Sequence, residues 1–290
     1  MKKRIISGTV YAALLIGFFL IKIFVPQPWG DLGFDALIYF YSLVGTFEML
    51  RAMDTSLTKA SKGIVTVFSV ICIPVASVCE AFWGYGVYAI AGCFFALALA
   101  LLSLLIFRNE ESTVEKLGSA FACALYPTLL LCLLVLTNHL AESILAMCFI
   151  FVVSPVSDVA AFFTGMSLRK KFPKKLAPTI SPNKTVVGFV GGLIGGAIAG
   201  AGIYFVYNAI CGSFANIYIQ LPIYLLVGLL GSLASSFGDL VESAIKRQRG
   251  IKDMGNIMPG HGGVLDRIDG TMFATVVVYI AFVLIGILSI

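Results

Sequence analysis

Residues 239–247 crowd two acids, a hydroxyl and two cations into a short stretch: Asp239, Glu242, Ser243, Lys246 and Arg247. The first four are spaced i, i+3, i+4 and i+7, which places them on one face of a helix. Lys246 and Arg247 suit the C-terminal end of such a helix, where the dipole favours cations. Asp239 fits a merely solvated helix end poorly. It follows a long apolar run, and an ionisable group within a membrane span costs about 3 kcal/mol unless it is partnered. Further along, Asp266 and Asp269 are spaced i, i+3 where another helix begins. Three carboxylates from two neighbouring helices make an all-oxygen donor set suited to Mg²⁺. Acids for a metal, with metal and cations for phosphates, form a phosphoryl-transfer constellation.

The chain between these acids runs through Lys252 and Asp253 to Pro259-Gly260-His261-Gly262-Gly263. That last segment cannot be helix. Its glycines allow backbone N–H groups to approach phosphate oxygens closely. His261 can bond a phosphate or order its own loop. Arg267 can hold Asp266 or Asp269, or meet substrate. A second segment, Ser181-Pro182-Asn183-Lys184-Thr185, precedes another apolar run. Ser, Lys and Thr at a helix N-terminus supply a phosphate with direct donors and a favourable dipole. Asp158 lies amid apolar residues, where a lipid-facing acid is disfavoured and a polar cavity is expected.

The elements that must carry these groups are transmembrane helices. Apolar residues make up 59% of the chain and charged residues 12%, about half the charge of an ordinary soluble domain. A helix crosses the hydrocarbon core with roughly 20 apolar residues. Nine stretches qualify: 5–25, 34–52, 63–80, 84–107, 117–137, 141–165, 186–207, 222–245 and 270–290. Runs this long exclude barrel strands, so the expected fold is an all-α integral membrane protein. Met1-Lys2-Lys3-Arg4 ahead of the first run resembles a signal peptide. The run is long enough to span, and no small-x-small cleavage site follows, so it is read as the first span. Every Lys and Arg except Lys22 falls in alternate loops, beginning with the N-terminus. The positive-inside rule then puts the N-terminus in the cytoplasm and the C-terminus outside. Two cytoplasmic loops, 166–185 and 246–269, are long, basic and rich in Gly, Pro, Asp and Asn. Residues 1–140 are expected to be scaffold, and 141–290 a catalytic domain that owns both loops.

The chemistry-bearing stretches resemble the phosphatidate cytidylyltransferase family, also called CDP-diacylglycerol synthases. The family signature, S-x-x-K-R-x4-K-D-x-G/S/A-x2-apolar-P/G-x-H-G-G-apolar-x-D-R-apolar-D, is matched from Ser243 to Asp269. The fixed positions include Lys246, Arg247, Lys252, Asp253, Gly255, Pro259, His261, Gly262, Gly263, Asp266 and Arg267. Asp158 with Gly165, and Ser181–Thr185, resemble the family's upstream elements. One departure is Val187, where members often carry Glu. The resemblance implies that CTP and phosphatidic acid give CDP-diacylglycerol and pyrophosphate, in a membrane resembling the bacterial cytoplasmic one. It implies one or two divalent ions, Mg²⁺ among them, on Asp239, Asp266 and Asp269, with Lys246 beside them. Lys246, Arg247 and Lys252 would hold triphosphate or lipid phosphate, with Ser181, Lys184, Thr185 and Ser243 completing the cradle.

Other classes fit less well. A transporter would place its polar residues near the bilayer midplane, often in repeats, whereas these gather at one edge. A CTP-dependent lipid-alcohol kinase is the nearer rival. Asp269-Gly270 continues Thr-Met-Phe-Ala, without the D-G-x2-A-R pattern of CDP-alcohol phosphatidyltransferases. The net charge of +5 follows membrane topology rather than nucleic-acid binding. Two histidines and the lack of a CxxC pair argue against zinc. The basic run Arg169 to Lys175 is read as a topology signal that also attracts anionic lipid. Gly188, Gly192, Gly196 and Gly200 form a smooth ridge for close helix packing, within one chain or between two in a homodimer.

Overall fold

The structure is a computed structural model that describes residues 2–108, 110–211, 217–260 and 262–288. His261 therefore lies outside the described residues. In chain order the elements are α1 (Lys2–Phe24), α2 (Trp29–Ala52), α3 (Lys59–Trp83), α4 (Gly86–Phe107), α5 (Val114–Ala124) and α6 (Leu130–Asn138). They continue with α7 (Ser143–Leu168), β1 (Lys175–Ala177), β2 (Ser181–Thr185), α8 (Val186–Cys211), α9 (Ile217–Gln248) and α10 (Leu265–Leu288). A π-helical turn over Leu125–Leu129 joins α5 to α6. Pro127 sits in it and lacks the N–H that a regular α turn needs, so the ladder widens there.

Among the described residues, eight helices are long and apolar enough to cross a membrane, counting Val114–Asn138 as one. The remaining expected span, 34–52, corresponds to α2, which is 24 residues long but carries Asp31, Asp35, Glu48 and Arg51. Its acids are buried and partnered. Lys22 meets Asp31 at 2.5 Å and also donates to the Asn138 carbonyl. Asp35 accepts from Asn138 Nδ2 at 2.8 Å, from Ser77 Oγ, and faces His139 Nε2 at 2.7 Å. This network explains how Lys22, the one cation outside the loop pattern, is accommodated inside a span.

The chain forms two compact units. One comprises residues 1–139 and 249–267; the other comprises 140–248 and 268–290. The segment from Arg249 to Arg267 thus folds with the N-terminal helices, whereas the sequence reading gave it to the C-terminal domain. Leu265 is fully buried, and a side chain at Gly45 of α2 would strike it at 2.9 Å.

In the C-terminal unit, the glycine ridge of α8 packs internally. An added Cβ at Gly188 or Gly192 would meet Ala161 and Ser157 of α7, and one at Gly196 or Gly200 would meet Ser232 and Tyr224 of α9. The ridge is used for packing within the chain. Helices α7, α9 and α10 meet through small residues. Ser154 and Ser235 hydroxyls lie 2.7 Å apart, and Gly270 abuts both. A Cβ at Gly238 would come within 2.6 Å of the Asp269 carbonyl. Close approach at Gly238 and Gly270 brings Asp239 and Glu242 of α9 and Asp269 of α10 into one neighbourhood.

One feature departs from an all-helical chain. Residues 175–185 form a short antiparallel hairpin, with Lys175 opposite Thr185 and Ala177 opposite Ser181. Strands of three and five residues are too short to show a period in the sequence.

Candidate active site

Helix α9 has 32 residues, about 48 Å of rise, against a hydrocarbon core of about 30 Å. Its excess length lets the last turns, which carry the charges, stand clear of the apolar core. Three carboxylates and two ammonium groups gather there in the C-terminal unit. Lys184, from β2, meets Asp239 Oδ2 at 2.5 Å. Ser243 donates to Asp239 Oδ1 at 3.3 Å. Lys246 pairs with Glu242 Oε2 at 2.7 Å one turn away, both side chains largely buried. Asp269 comes from α10, shares a hydrogen bond with the Glu242 carboxyl, and lies in the field of Asp239 and Lys246. Its Oδ1 also accepts the Gly270 N–H at 2.7 Å.

The signature loop, in the N-terminal unit, is organised by two acids of its own. Asp266 Oδ2 accepts the N–H groups of Met254 at 2.9 Å and Gly263 at 2.8 Å. Glu48, from α2 and 2% exposed, accepts the N–H groups of Val264 at 3.0 Å and Leu265 at 2.9 Å. These are among the donors that open α10, so a carboxylate from a distant helix caps its N-terminus, where negative charge is favoured. Gly255 and Gly263 are glycines for this reason. A Cβ at either would fall 2.1 or 2.5 Å from a Glu48 carboxylate oxygen. Met258 donates to the Gly262 carbonyl across the tip, and Gly260 and Gly262 hold positive φ of 80° and 87°, a region that side chains disfavour.

The expected site residues therefore divide. Asp239, Ser243, Lys246, Lys184 and Asp269 come together, joined by Glu242. Arg247 is exposed and its Nε donates to the Ile180 carbonyl, tying α9 to the hairpin. Ser181 begins β2, and Thr185 ends it, buried. The Thr185 hydroxyl accepts the Gly188 N–H at 3.1 Å, so it caps α8. Gly165 of α7 leaves room for that hydroxyl. Lys252 and Arg267 are exposed on the loop segment, and Asp158 is exposed on α7. Gly263 directs its N–H to Asp266 rather than outward. Glu48 was missed by the sequence reading. The signal was present, because an acid inside an apolar stretch requires a partner as much as Asp239 does.

Carboxylate oxygens are the donors that a hard divalent cation prefers. Asp239 pairs with Lys184 and Glu242 with Lys246, and Asp269 adds a third carboxyl beside them. Among the described residues no three His, Cys, Asp or Glu side chains converge as metal ligands. An ion held here would take one or two carboxylates from the chain and complete its shell with substrate oxygens and water, as Mg²⁺ does in phosphate-handling sites.

Comparison with known proteins supplies the chemical context. A model of the cytidylyltransferase family matches residues 2–285. The phosphatidate cytidylyltransferase of Bacillus subtilis (strain 168) is 33% identical over 286 residues, covering 96% of each chain. That of Staphylococcus aureus (strain COL) is 42% identical over 125 residues, covering 42% of this chain and 43% of its own. That of Staphylococcus saprophyticus is 39% identical over 125 residues, covering 43% and 44%. With a match that runs almost from end to end, this helical membrane chain belongs to the cytidylyltransferase family.

Proposed function

We propose that the chain transfers a cytidylyl group from CTP to phosphatidate, releasing pyrophosphate and forming CDP-diacylglycerol. The carrying observation is the cluster of Lys184, Asp239, Glu242, Lys246 and Asp269 in a chain alike over 96% of its length to a phosphatidate cytidylyltransferase. An oxygen of the lipid phosphate attacks the α-phosphorus of CTP. The bond from that phosphorus to the bridging oxygen breaks, and pyrophosphate leaves with the electron pair.

Both reactants are polyanions, so the main task is to offset charge and align them. Lys184 and Lys246 are held on carboxylates, which fixes their ammonium groups before substrate arrives. Arg247, Lys252 and Arg267 are exposed cations available to triphosphate or lipid phosphate. Ser181 opens the strand that carries Lys184. Asp239 and Asp269 are the ligands we assign to Mg²⁺. Asp266, the third acid expected from the sequence, folds with the N-terminal unit, where its Oδ2 orders the signature loop by accepting the Met254 and Gly263 N–H groups. When bound, the ion offsets charge on the phosphates and on the departing pyrophosphate.

The alternation of cations in the sequence supports a cytoplasmic N-terminus and a site on the cytoplasmic side, where CTP is supplied. The test is to incubate the purified protein with CTP, Mg²⁺ and phosphatidate and to identify products by mass. CDP-diacylglycerol with stoichiometric pyrophosphate is expected. CDP with a phosphorylated lipid alcohol would instead establish a kinase, and no nucleotide turnover would remove the reading.

A further inference from the structure

Within the N-terminal unit, a groove of about 820 Å³ runs between α1 and α2, bounded at one side by Ile257, Met258 and Pro259 of the signature loop. Its α1 wall is Ser7, Val10, Leu14 and Phe18, and its α2 wall includes Ala36, Leu37 and Phe40. The α1 residues step by three and four, so they form one continuous helix face. Ser7 donates to the Pro259 carbonyl at 3.1 Å, which ties the start of this wall to the loop.

Length and polarity together select an occupant. From Ser7 to Phe18 the helix rises about 16 Å. Half of a bilayer's hydrocarbon core is about 15 Å, so the groove is as long as one leaflet. Val10, Leu14 and Phe40 are each about half exposed, so the groove lies open along its length. Tyr11, which also lines it, lies within the electrostatic reach of Arg267. That guanidinium is exposed and belongs to the signature segment. An apolar trough one leaflet long, with a cation within electrostatic reach of one of its walls, complements a lipid that has an anionic head. A nucleotide would leave the trough empty.

We propose that this groove holds an acyl chain of the phosphatidate substrate while Arg267 holds its phosphate. The proposal rests on the cytidylyl-transfer reading above and names the part of the chain that selects its lipid. Ala36 and Val10 are exposed groove residues outside the phosphate-handling set, so enlarging them obstructs the trough without disturbing a packed core.

The experiment compares Ala36→Trp and Val10→Trp with the parent protein, using dioleoyl and dihexanoyl phosphatidate in mixed micelles. For the dioleoyl lipid, KM is expected to rise about tenfold, the equivalent of about two buried methylenes. For the dihexanoyl lipid, whose chains are too short to need the trough, kcat and KM stay within about twofold of the parent. A dioleoyl phosphatidate with a diazirine at its chain end should also label α1 and α2, with labelling suppressed by unlabelled phosphatidate but not by phosphatidylcholine. Unchanged kinetics with both lipids, equal losses with both, or suppression by either competitor alike would overturn the groove assignment. Activity of the parent protein on dihexanoyl phosphatidate would leave the cytidylyl-transfer reading standing in each of those cases. Inactivity of the parent protein on every phosphatidate would remove that reading instead.

Discussion

Asp239 and Glu48 show two uses of a buried or half-buried acid. Asp239 sits between an ammonium group and a hydroxyl and faces another acid, an arrangement that serves charge rather than packing. Asp239→Asn and Asp269→Asn are each expected to lower kcat at least about a hundredfold, the scale of losing one preorganised electrostatic contact. An unchanged thermal midpoint in detergent would separate this loss from unfolding. Glu48 never needs to touch substrate, because it holds two backbone N–H groups at the start of α10. Glu48→Gln turns an amide N–H₂ toward one of those donors. Activity should fall about ten- to a hundredfold, as for other groups that orient a charged site. Steady-state kinetics will check this, and full activity would show that the loop holds itself. Gly255→Ala places a methyl against the same carboxylate, with an expected stability loss of about 1–3 kcal/mol. Thermal unfolding in a fixed detergent reports it.

At the scale of elements, small residues decide which side chains meet. Gly238 and Gly270 let α9 and α10 approach, and Gly165 and Gly188 make space around the Thr185 hydroxyl. The network on α2 is the counterpart at the other end of that helix. Lys22 and Asp31 are both nearly inaccessible, so removing one partner leaves a buried charge uncompensated. Lys22→Met is expected to destabilise the protein by about 3–5 kcal/mol. The double variant with Asp31→Asn should recover a large part of that loss. A double-mutant cycle read by thermal unfolding measures the coupling, and additive effects would deny that the pair acts as a unit.

For the whole molecule, the loop pattern of Lys and Arg predicts sidedness. In a cysteine-free background, Lys170→Cys should react with an impermeant maleimide only from the cytoplasmic face, and Tyr85→Cys only from the opposite face. The reverse result would invert the topology. Activity should also vanish with excess chelator and return with Mg²⁺; undiminished turnover in chelator would exclude a required divalent ion.

Much of this protein was legible in its linear order. Long apolar runs define helices because backbone in lipid has to satisfy itself, and the expected runs overlie observed helices, with 117–137 shared by α5, the π-helical turn and α6. Asp239 and Asp269 stood out because charge beside lipid demands a reason. Tertiary structure alone decided the partners. Asp269 of α10 meeting Glu242 of α9, Lys184 reaching Asp239 from a hairpin, and Glu48 capping α10 from more than two hundred residues away depend on which helices cross where. So does the inclusion of the signature loop in the N-terminal unit. Periodicity along a chain reports which face of a helix is apolar. It does not report which other helix that face will meet, because that choice is made by shape and by the pairing of the few polar groups the membrane leaves unsolvated.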